Sequence, residues 1–264
     1  MYGEVREAKR LSPSMVRIVL GGGDLDEFDS TPWTDQYINA HFVPAGAPYT
    51  VPFDPNEARE TGDDFRPRPR RYTVRSWDED AKELTIDFVA HGAEGYAGPW
   101  AQRAVPGDRL QFQGPGGSYA PNPEAAWHLF VGDESALPAI AASLEKVPAG
   151  ARCVVRIVVD GPDDELPLDS PGELDVVWLH RRGAEDPPAL LTDAVAALDF
   201  APGPIDLFVH GEAGEVRDVR AHLIKVREVE VKGASISPYW RRNHTDEAWR
   251  EVKRDFIAEM SKDG

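Results

Sequence analysis

The pattern of apolar residues changes once along this chain, near Pro121-Asn122-Pro123, and that change strongly constrains the fold. Before it, short segments alternate apolar and polar residues between turn signals, which predicts an antiparallel β-barrel of about five strands. After it, apolar strands alternate with helices, which predicts a parallel, doubly wound α/β sheet. A chain of 264 residues is also long for one domain. We therefore expect an all-β domain over residues 1–122 and an α/β domain over residues 123–264.

The periodicity places each element. The clearest strand is 84–90, where Leu84, Ile86 and Phe88 share one face. The other predicted barrel strands cover 16–20, 35–43, 70–76 and 109–113, with a polar loop over 45–65. In the second half we expect strands over 128–133, 153–159, 175–180 and 205–210, and helices over 135–144, 188–198, 214–226 and 245–260.

Arginines gather just before and within the strand 70–76, in the run Arg66-Pro67-Arg68-Pro69-Arg70-Arg71-Tyr72-Thr73-Val74-Arg75. The chain carries a net charge of −17, so five arginines in one short run indicate a bound anion. Arginine grips phosphate with a two-pronged fork, and tyrosine offers a flat ring for stacking. The run therefore favours a ligand with a diphosphate and an aromatic ring system. The alternative is an edge strand protected by charge.

A glycine-rich turn, His91-Gly92-Ala93-Glu94-Gly95-Tyr96-Ala97-Gly98, leads from the strand 84–90 into a short predicted helix at 99–104. Such a turn presents unpaired backbone N–H groups to an anion. Together with the arginine run, it would form a clamp on a diphosphate. His91 either contacts that ligand or caps the turn.

In the second half, Gly132-Asp133-Glu134-Ser135-Ala136 lies where a strand meets a helix, the place where parallel sheets bind nucleotides. Its carboxylates would repel a closely held diphosphate, so weak nicotinamide binding is expected. Alternatively they only stabilise the start of the helix. Asp160 favours a free ribose hydroxyl and hence NADH, whereas Arg181-Arg182 would suit the 2′-phosphate of NADPH; we favour NADH slightly.

Composition excludes several other functions. The negative net charge argues against binding to nucleic acid or to an anionic membrane. No apolar run approaches the roughly 20 residues of a membrane span, and no signal segment is evident, so we expect a cytoplasmic protein, by default a monomer. With Cys153 as the only cysteine, the chain cannot hold an iron–sulfur cluster by itself, and its histidines lack metal-ligand spacing.

Several motifs, in order along residues 4–245, resemble the siderophore-interacting protein family. They are Arg70 to Arg75, His91-Gly92 to Trp100-Ala101, Gly114 to Tyr119, Gly132 to Ile140, His210-Gly211-Glu212-Ala213, Val219-Arg220 and Tyr239-Trp240-Arg241. The resemblance implies a ferredoxin-NADP-reductase-like flavoprotein, with FAD on the barrel and NADH or NADPH on the α/β domain. It also implies reduction of ferric siderophores in the cytoplasm, with release of ferrous iron.

The resemblance assigns roles to residues of the barrel. Arg70 would pair with the FAD diphosphate, Tyr72 would stack beside the isoalloxazine, and Thr73 would hydrogen-bond near the reactive flavin nitrogen. The wider set of expected FAD-binding residues comprises Arg70, Tyr72, Thr73, Val74, His91, Ala97, Gly98 and Trp100, of which Tyr72 and Thr73 are the expected catalytic residues. The family commonly has a hydroxyl residue where Gly98 stands, so backbone contact would replace that side chain.

The resemblance also implies that Glu134, Ala136 and Glu212 bind the nicotinamide nucleotide. An anionic ferric chelate would need basic residues near the flavin, and the candidates are His41, Arg241, Arg242 and Lys253. Alternatively, the basic residues near the C-terminus only form the solvated face of a helix. Tyr239-Trp240 either packs between the domains or forms a lid over the flavin. The family often has a lysine where Asn39 stands, which weakens the case for a strongly anionic catecholate.

These observations predict an FAD-dependent ferric-siderophore reductase. NAD(P)H donates two electrons as hydride and ferric iron accepts one, a mismatch that flavin resolves. Two alternatives stay open: a flavin reductase that serves a protein electron carrier, and a chelate-binding protein that does not reduce iron.

Overall fold

The computed structural model describes residues 1–90 and 95–263, and its chain divides into two compact units, Met1–Ala120 and Pro121–Gly264. Each unit is built on one β-sheet. Among the described residues, none of the helices has the length and apolar character needed to cross a membrane.

The first unit is a closed six-stranded antiparallel barrel with the strand order β1-β2-β5-β4-β3-β6. Its strands are β1 Tyr2–Ser12, β2 Met15–Gly21, β3 Tyr37–Phe42, β4 Arg68–Asp78, β5 Glu83–Val89 and β6 Arg109–Gly116. Pairing of β1 with β6 closes the barrel, as where Tyr2 lies opposite Gln111. Leu84, Ile86 and Phe88 are fully buried inside it, as their alternation predicts.

Strand β4 pairs with a different neighbour in each half. Residues 68–73 lie opposite β3, and residues 74–78 lie opposite β5. Pairing with β5 therefore begins after Arg68, Arg70 and Arg71, so a bound anion and protection of a strand edge both stay open as explanations of these arginines.

Two helices accompany the barrel, α1 Pro55–Glu60 and α2 Ala97–Arg103. α1 lies within the segment expected to be a polar loop. Its start is fixed by Asp54, whose carboxylate accepts the backbone N–H of Asn56 at 2.7 Å, with Pro55 in the first turn. An Asp-Pro pair is a recognised helix start, so the sequence contained this signal.

The second unit holds a five-stranded sheet of order β11-β10-β7-β8-β9, in which every neighbouring pair is parallel. Its strands are β7 Trp127–Asp133, β8 Arg152–Val159, β9 Glu173–His180, β10 Ile205–Glu212 and β11 Ser235–Trp240, and its helices are α3 Leu137–Leu144, α4 Leu190–Ala196, α5 Ala213–Lys225 and α6 Asp246–Met260. Single 3₁₀ turns occur at Leu25–Glu27, Asp63–Phe65, Pro162–Asp164 and Pro187–Ala189.

The order of the strands reverses at β7, which begins the sheet in sequence and lies in its middle. β7 is buried along its whole length, as an internal parallel strand should be. The carboxyl ends of β7 and β10 meet beside this reversal, where doubly wound sheets bind ligands. An antiparallel barrel followed by a parallel sheet confirms the predicted fold class.

Candidate functional site

Strand β4 orders the candidate FAD residues along one face. Residues two apart in a strand share a face, so Arg68, Arg70, Tyr72 and Val74 follow one another. Val74 is 4% exposed and belongs to the barrel core, whereas Arg70 and Tyr72 are only partly buried. Tyr72 lies opposite the core residue Ile38 on β3. The face thus runs from two cations, past an aromatic ring, into the core.

Two guanidinium groups meet over one aromatic ring. The guanidinium carbons of Arg68 and Arg70 lie 5.7 Å and 5.6 Å from the ring centroid of Tyr96. Tyr96 directly precedes helix α2, so the ring holds both cations beside the start of that helix. Tyr96 belongs to the glycine-rich turn, but the sequence pattern alone predicted no role for it. Its signal was an aromatic residue within a segment already assigned, like the arginine run, to an anion.

Four aromatic residues, Tyr72, Phe88, Trp100 and Phe42, form a cluster that joins β4, β5, α2 and β3. The ring centroid of Phe88 lies 4.3 Å from that of Tyr72 and 5.7 Å from that of Trp100. Trp100 also lies 5.7 Å from Phe42. The structure therefore brings the predicted residues Tyr72 and Trp100 against the same buried ring.

Helix α2 is anchored by small residues. Ala97 is 5% exposed and Ala101 is 1% exposed, and both pack into the barrel core. A Cβ atom placed on Gly98 would lie 3.4 Å from the carbonyl oxygen of Val89 and 3.5 Å from the Cα of Ala90. These distances are ordinary van der Waals contacts. Packing therefore leaves room for a small side chain at position 98.

Thr73 points to the opposite face of β4 from Tyr72, because neighbouring residues in a strand alternate. It is 8% exposed and lies opposite Tyr37 on β3. His91, which the resemblance placed at the adenine end, falls outside the described residues.

His41 lies within the barrel wall. It is 6% exposed, lies opposite Pro69 on β4, and meets the ring of Phe53 edge-on at 6.4 Å. Burial lowers the pKa of His41, and the charge of Arg59 lowers it further. Burial therefore favours the neutral imidazole over the positive charge expected of a substrate-binding cation.

In the second unit, Asp133 joins three segments at the carboxyl edge of the sheet. Its carboxylate accepts the backbone N–H groups of Ser135 and Glu212, each at 2.9 Å, and the indole N–H of Trp240 at 2.7 Å. A Cβ atom on Gly132 would lie 2.6 Å from the carbonyl oxygen of His210, so glycine is needed for this close approach. The indole of Trp240 is thus committed to packing inside this unit.

Glu212 caps helix α5 with its own side chain. Its Oε2 accepts the backbone N–H groups of Gly214 at 2.7 Å and Glu215 at 3.1 Å, and its Oε1 accepts that of Arg242 at 3.0 Å. Ala136, fully buried, donates its N–H to the carbonyl of Asp133 at 3.0 Å. Carboxylates of the chain therefore occupy backbone donors that a tightly bound diphosphate would use at such helix starts.

Glu134 is bound to Arg181 in a two-point ion pair. Nη2 of Arg181 donates to Oε2 of Glu134 at 2.8 Å, and Nη1 donates to Oε1 at 2.5 Å. The same Nη1 lies 3.3 Å from Oδ1 of Asp160. Burial raises the pKa of Glu134, and the Arg181 guanidinium opposes that rise. The guanidinium proposed for a 2′-phosphate is therefore already engaged.

Arg242 contacts a buried carboxyl group. Its Nη2 donates at 2.6 Å to Oε1 of Glu215, which is 1% exposed. Burial and the charge of Asp133 raise the pKa of Glu215 to about 7, against the opposing effect of Arg181 and Arg242. Glu215 was not predicted as a site residue, because its position in a helix looks like that of any surface glutamate. The contact ties the guanidinium of Arg242, one of the expected substrate-binding cations, to a carboxyl group of its own unit.

Arg241 and Lys253 lie over aromatic rings of helix α6. The guanidinium carbon of Arg241 is 5.9 Å from the ring centroid of Trp249 and 5.3 Å from that of Phe256, and Nζ of Lys253 is 6.0 Å from that of Trp249. The indole of Trp249 donates to the carbonyl of Tyr239 at 3.1 Å. Cation–π contact holds these side chains against the rings of α6.

Comparison with known proteins places both units in one family. The siderophore-interacting FAD-binding domain matches residues 4–119, and the siderophore-interacting protein domain matches residues 125–243. An uncharacterised protein of Mycobacterium tuberculosis is 42% identical over 96% of this chain and 94% of its own length. The ferric vibriobactin reductase ViuB of Vibrio cholerae is 33% identical over 95% of this chain and 93% of its own length.

Solved structures show the same fold. The siderophore-interacting protein SipS of Aeromonas hydrophila superposes with a TM-score of 0.82 at 29% identity, covering 98% of each chain. Ferredoxin-NADP⁺ reductases also match, at TM-scores of 0.65 and 0.59 and identities of 11% and 16%, which shows the fold alone.

Proposed function

The chain belongs to the siderophore-interacting protein family, and on that premise we propose that it is an FAD-dependent reductase of ferric siderophores or related ferric chelates. It would take electrons from NADH or NADPH and release iron as Fe(II). One observation carries the proposal: the paired guanidinium groups of Arg68 and Arg70 over Tyr96, next to the half-buried ring of Tyr72 on the same strand face.

The residues of the barrel fit FAD by their chemistry. Arg70, with Arg68 beside it, offers forked donors for the diphosphate, and the partly exposed ring of Tyr72 offers a stacking surface for the isoalloxazine. Val74 follows Tyr72 on the same strand face and belongs to the barrel core. The hydroxyl of Thr73 would donate a hydrogen bond to the flavin, and the backbone of Ala97, Gly98 and Trp100 would face the diphosphate. Bound FAD couples the two-electron donor to the one-electron acceptor.

The α/β unit fits a nucleotide that binds and leaves in each turnover. Glu134, Ala136 and Glu212 lie at the carboxyl edge of the sheet, where such ligands bind. The carboxylates of Asp133 and Glu212 already satisfy several backbone donors there. Affinity for the diphosphate of the donor would then be modest, which suits a donor exchanged for each reduction.

The available cations favour a substrate of low negative charge. Arg241 and Lys253 lie over aromatic rings of α6, Arg242 is bound to Glu215, and burial lowers the pKa of His41. On a chain of net charge −17, these residues give limited attraction for an anion. We therefore propose a neutral or weakly anionic ferric chelate, reduced in the cytoplasm by a monomer with an FAD domain over residues 1–122 and a nucleotide domain over residues 123–264.

The proposal is tested with the purified flavoprotein, NADH or NADPH, a panel of ferric chelates and a chromogenic trap for Fe(II), under anaerobic conditions. Formation of trapped Fe(II) that requires protein, flavin and nucleotide together is the expected result. Flavin reduction without trapped Fe(II) from any chelate would instead favour service to a protein electron carrier. Chelate binding without any flavin reduction would favour a non-reducing binding protein.

A further inference from the structure

We propose that Glu134 sets the nucleotide preference of this protein, because its ion pair withholds Arg181 from a 2′-phosphate and so favours NADH over NADPH. This inference rests on the proposed function, since it concerns the electron donor of the same reductase. It goes further by assigning the choice between NADH and NADPH to one buried carboxylate.

The geometry of the pair is the first ground. Two parallel N–H···O bonds join Nη1 and Nη2 of Arg181 to the two carboxylate oxygens of Glu134, at 2.5 Å and 2.8 Å. This is the same fork with which arginine grips a phosphate. Asp160 takes a further contact at 3.3 Å. The two-pronged face of Arg181 is thus filled by carboxylates of the chain itself.

The charges around Arg181 are the second ground. The carboxylates of Glu134, Asp133 and Glu215 all act on this one guanidinium. Glu134 is only 7% exposed and Asp133 is fully buried. A 2′-phosphate that captured Arg181 would leave Glu134 buried without its partner, next to another carboxylate, which is a costly arrangement.

The ribose of NADH meets no such obstacle. Its 2′-hydroxyl carries no charge, and the side chain of Asp160, at the end of β8, is 52% exposed. A carboxylate can accept several hydrogen bonds, so Asp160 can receive a ribose hydroxyl while keeping its contact with Arg181. The same edge of the sheet therefore accepts a ribose diol and opposes a ribose phosphate.

Arg182 is the competing candidate for a 2′-phosphate. It is exposed, and its guanidinium carbon lies 3.5 Å from the position of a Cβ on Gly161, directly after β8. If Arg182 held the phosphate, the state of Arg181 would be irrelevant. The test must therefore separate the two arginines.

The test uses isothermal titration calorimetry of the flavoprotein with two probes, AMP and 2′-phospho-AMP. The variant Glu134→Gln keeps the size of the side chain but releases Arg181. We expect it to raise the affinity for 2′-phospho-AMP, relative to that for AMP, by about tenfold, the value of one charge-assisted hydrogen bond. The double variant Glu134→Gln/Arg181→Gln should lose this gain.

Two results would overturn the inference. One is an unchanged ratio of the two affinities in Glu134→Gln; the other is a gain that persists in the double variant, which would assign the phosphate to Arg182. Failure of either probe to bind any form of the protein would count equally against it.

A second variant guards against misfolding. Asp160→Asn changes an exposed side chain and loosens the same arginine, so a gain of about threefold in 2′-phospho-AMP affinity is expected from a weaker charged contact. If Glu134→Gln does not fold and Asp160→Asn shows no gain in 2′-phospho-AMP affinity, the inference is also overturned. Flavin reduction by NADH, measured in parallel, separates the two proposals: selective binding without reduction would refute the donor role and leave the selection by Glu134 standing.

Discussion

The ring of Tyr72 lies 4.3 Å, centroid to centroid, from the ring of Phe88, with the two planes inclined by 42°. Phe88 is fully buried in the barrel, so it fixes the position of a tyrosine that is itself only half-buried. Tyr72 therefore offers a rigid aromatic surface, which is what stacking on an isoalloxazine requires.

This placement predicts different outcomes for two substitutions of Tyr72. Tyr72→Phe retains the stacking ring and should keep FAD affinity within about threefold, whereas Tyr72→Ala should weaken it by about tenfold through lost stacking. Fluorescence titration of apoprotein with FAD measures both affinities. Equal retention of FAD by the alanine and phenylalanine variants would remove Tyr72 from the flavin site.

Arg70 should contribute more to FAD affinity than other arginines of the barrel unit. Arg70→Ala removes a forked, charge-assisted contact with the diphosphate and should weaken FAD binding by about 10- to 100-fold. Arg103 is an exposed arginine at the end of α2. Arg103→Ala is therefore the matched control, and it should change FAD affinity little. The same FAD titration compares them. Similar losses in the two variants would contradict the diphosphate clamp.

Gly98→Ser should strengthen the flavin site. A Cβ at this position meets only ordinary contacts, and serine is a better helix former than glycine by about 0.5 kcal/mol. The added hydroxyl would face the same diphosphate as the backbone of α2, so FAD dissociation should slow severalfold. Gly98→Ala, which supplies the helix propensity without a hydroxyl, is the control. If FAD dissociates from the serine variant at least as fast as from the alanine variant, the hydroxyl has no role in binding.

Glu215 should make the stability of the protein fall as pH rises. Burial raises its pKa from an ordinary 4.5 to about 7. The neutral form therefore stabilises the fold fully below about pH 4.5, and this stabilisation is lost as pH rises through 7. Between pH 5 and pH 8, the loss amounts to about 2 kcal/mol in the free energy of unfolding.

The variant Glu215→Gln tests this directly, because glutamine resembles the neutral acid at every pH. Urea unfolding at pH 5 and pH 8 should show a smaller decline in the variant than in the wild type. Glu251→Gln, an exposed glutamate of α6, should preserve the wild-type decline. An identical pH dependence in wild type and Glu215→Gln would show that the buried carboxyl stays charged throughout.

Much of the fold could be predicted because periodicity is a local property of the sequence. Leu84, Ile86 and Phe88 alternate, and the buried parallel strand β8 is apolar apart from Arg152 and Arg156. β11 was missed because Ser235–Trp240 has neither pattern and contains a proline; it forms a strand only by pairing with β10 at the edge of the sheet.

The candidate site was predictable where its residues lie together in sequence. Arg70 and Tyr72 share a strand face, and that spacing can be read directly. The partners of the charged groups could not be read this way. Arg181 meets Glu134 across 47 residues, and Tyr96 reaches Arg68 and Arg70 from another element. Such contacts depend on strand order and on tertiary packing, which local patterns do not specify.

Anaerobic stopped-flow absorbance tests the central proposal most directly. The flavoprotein is mixed first with NADH and then with a ferric siderophore in the presence of an Fe(II) trap. We expect the flavin absorbance to fall with NADH and to return with the siderophore, at the rate at which trapped Fe(II) forms. A flavin band that ignores both nicotinamide nucleotides, or that recovers anaerobically without trapped Fe(II), would contradict assignment of the protein as a ferric-siderophore reductase.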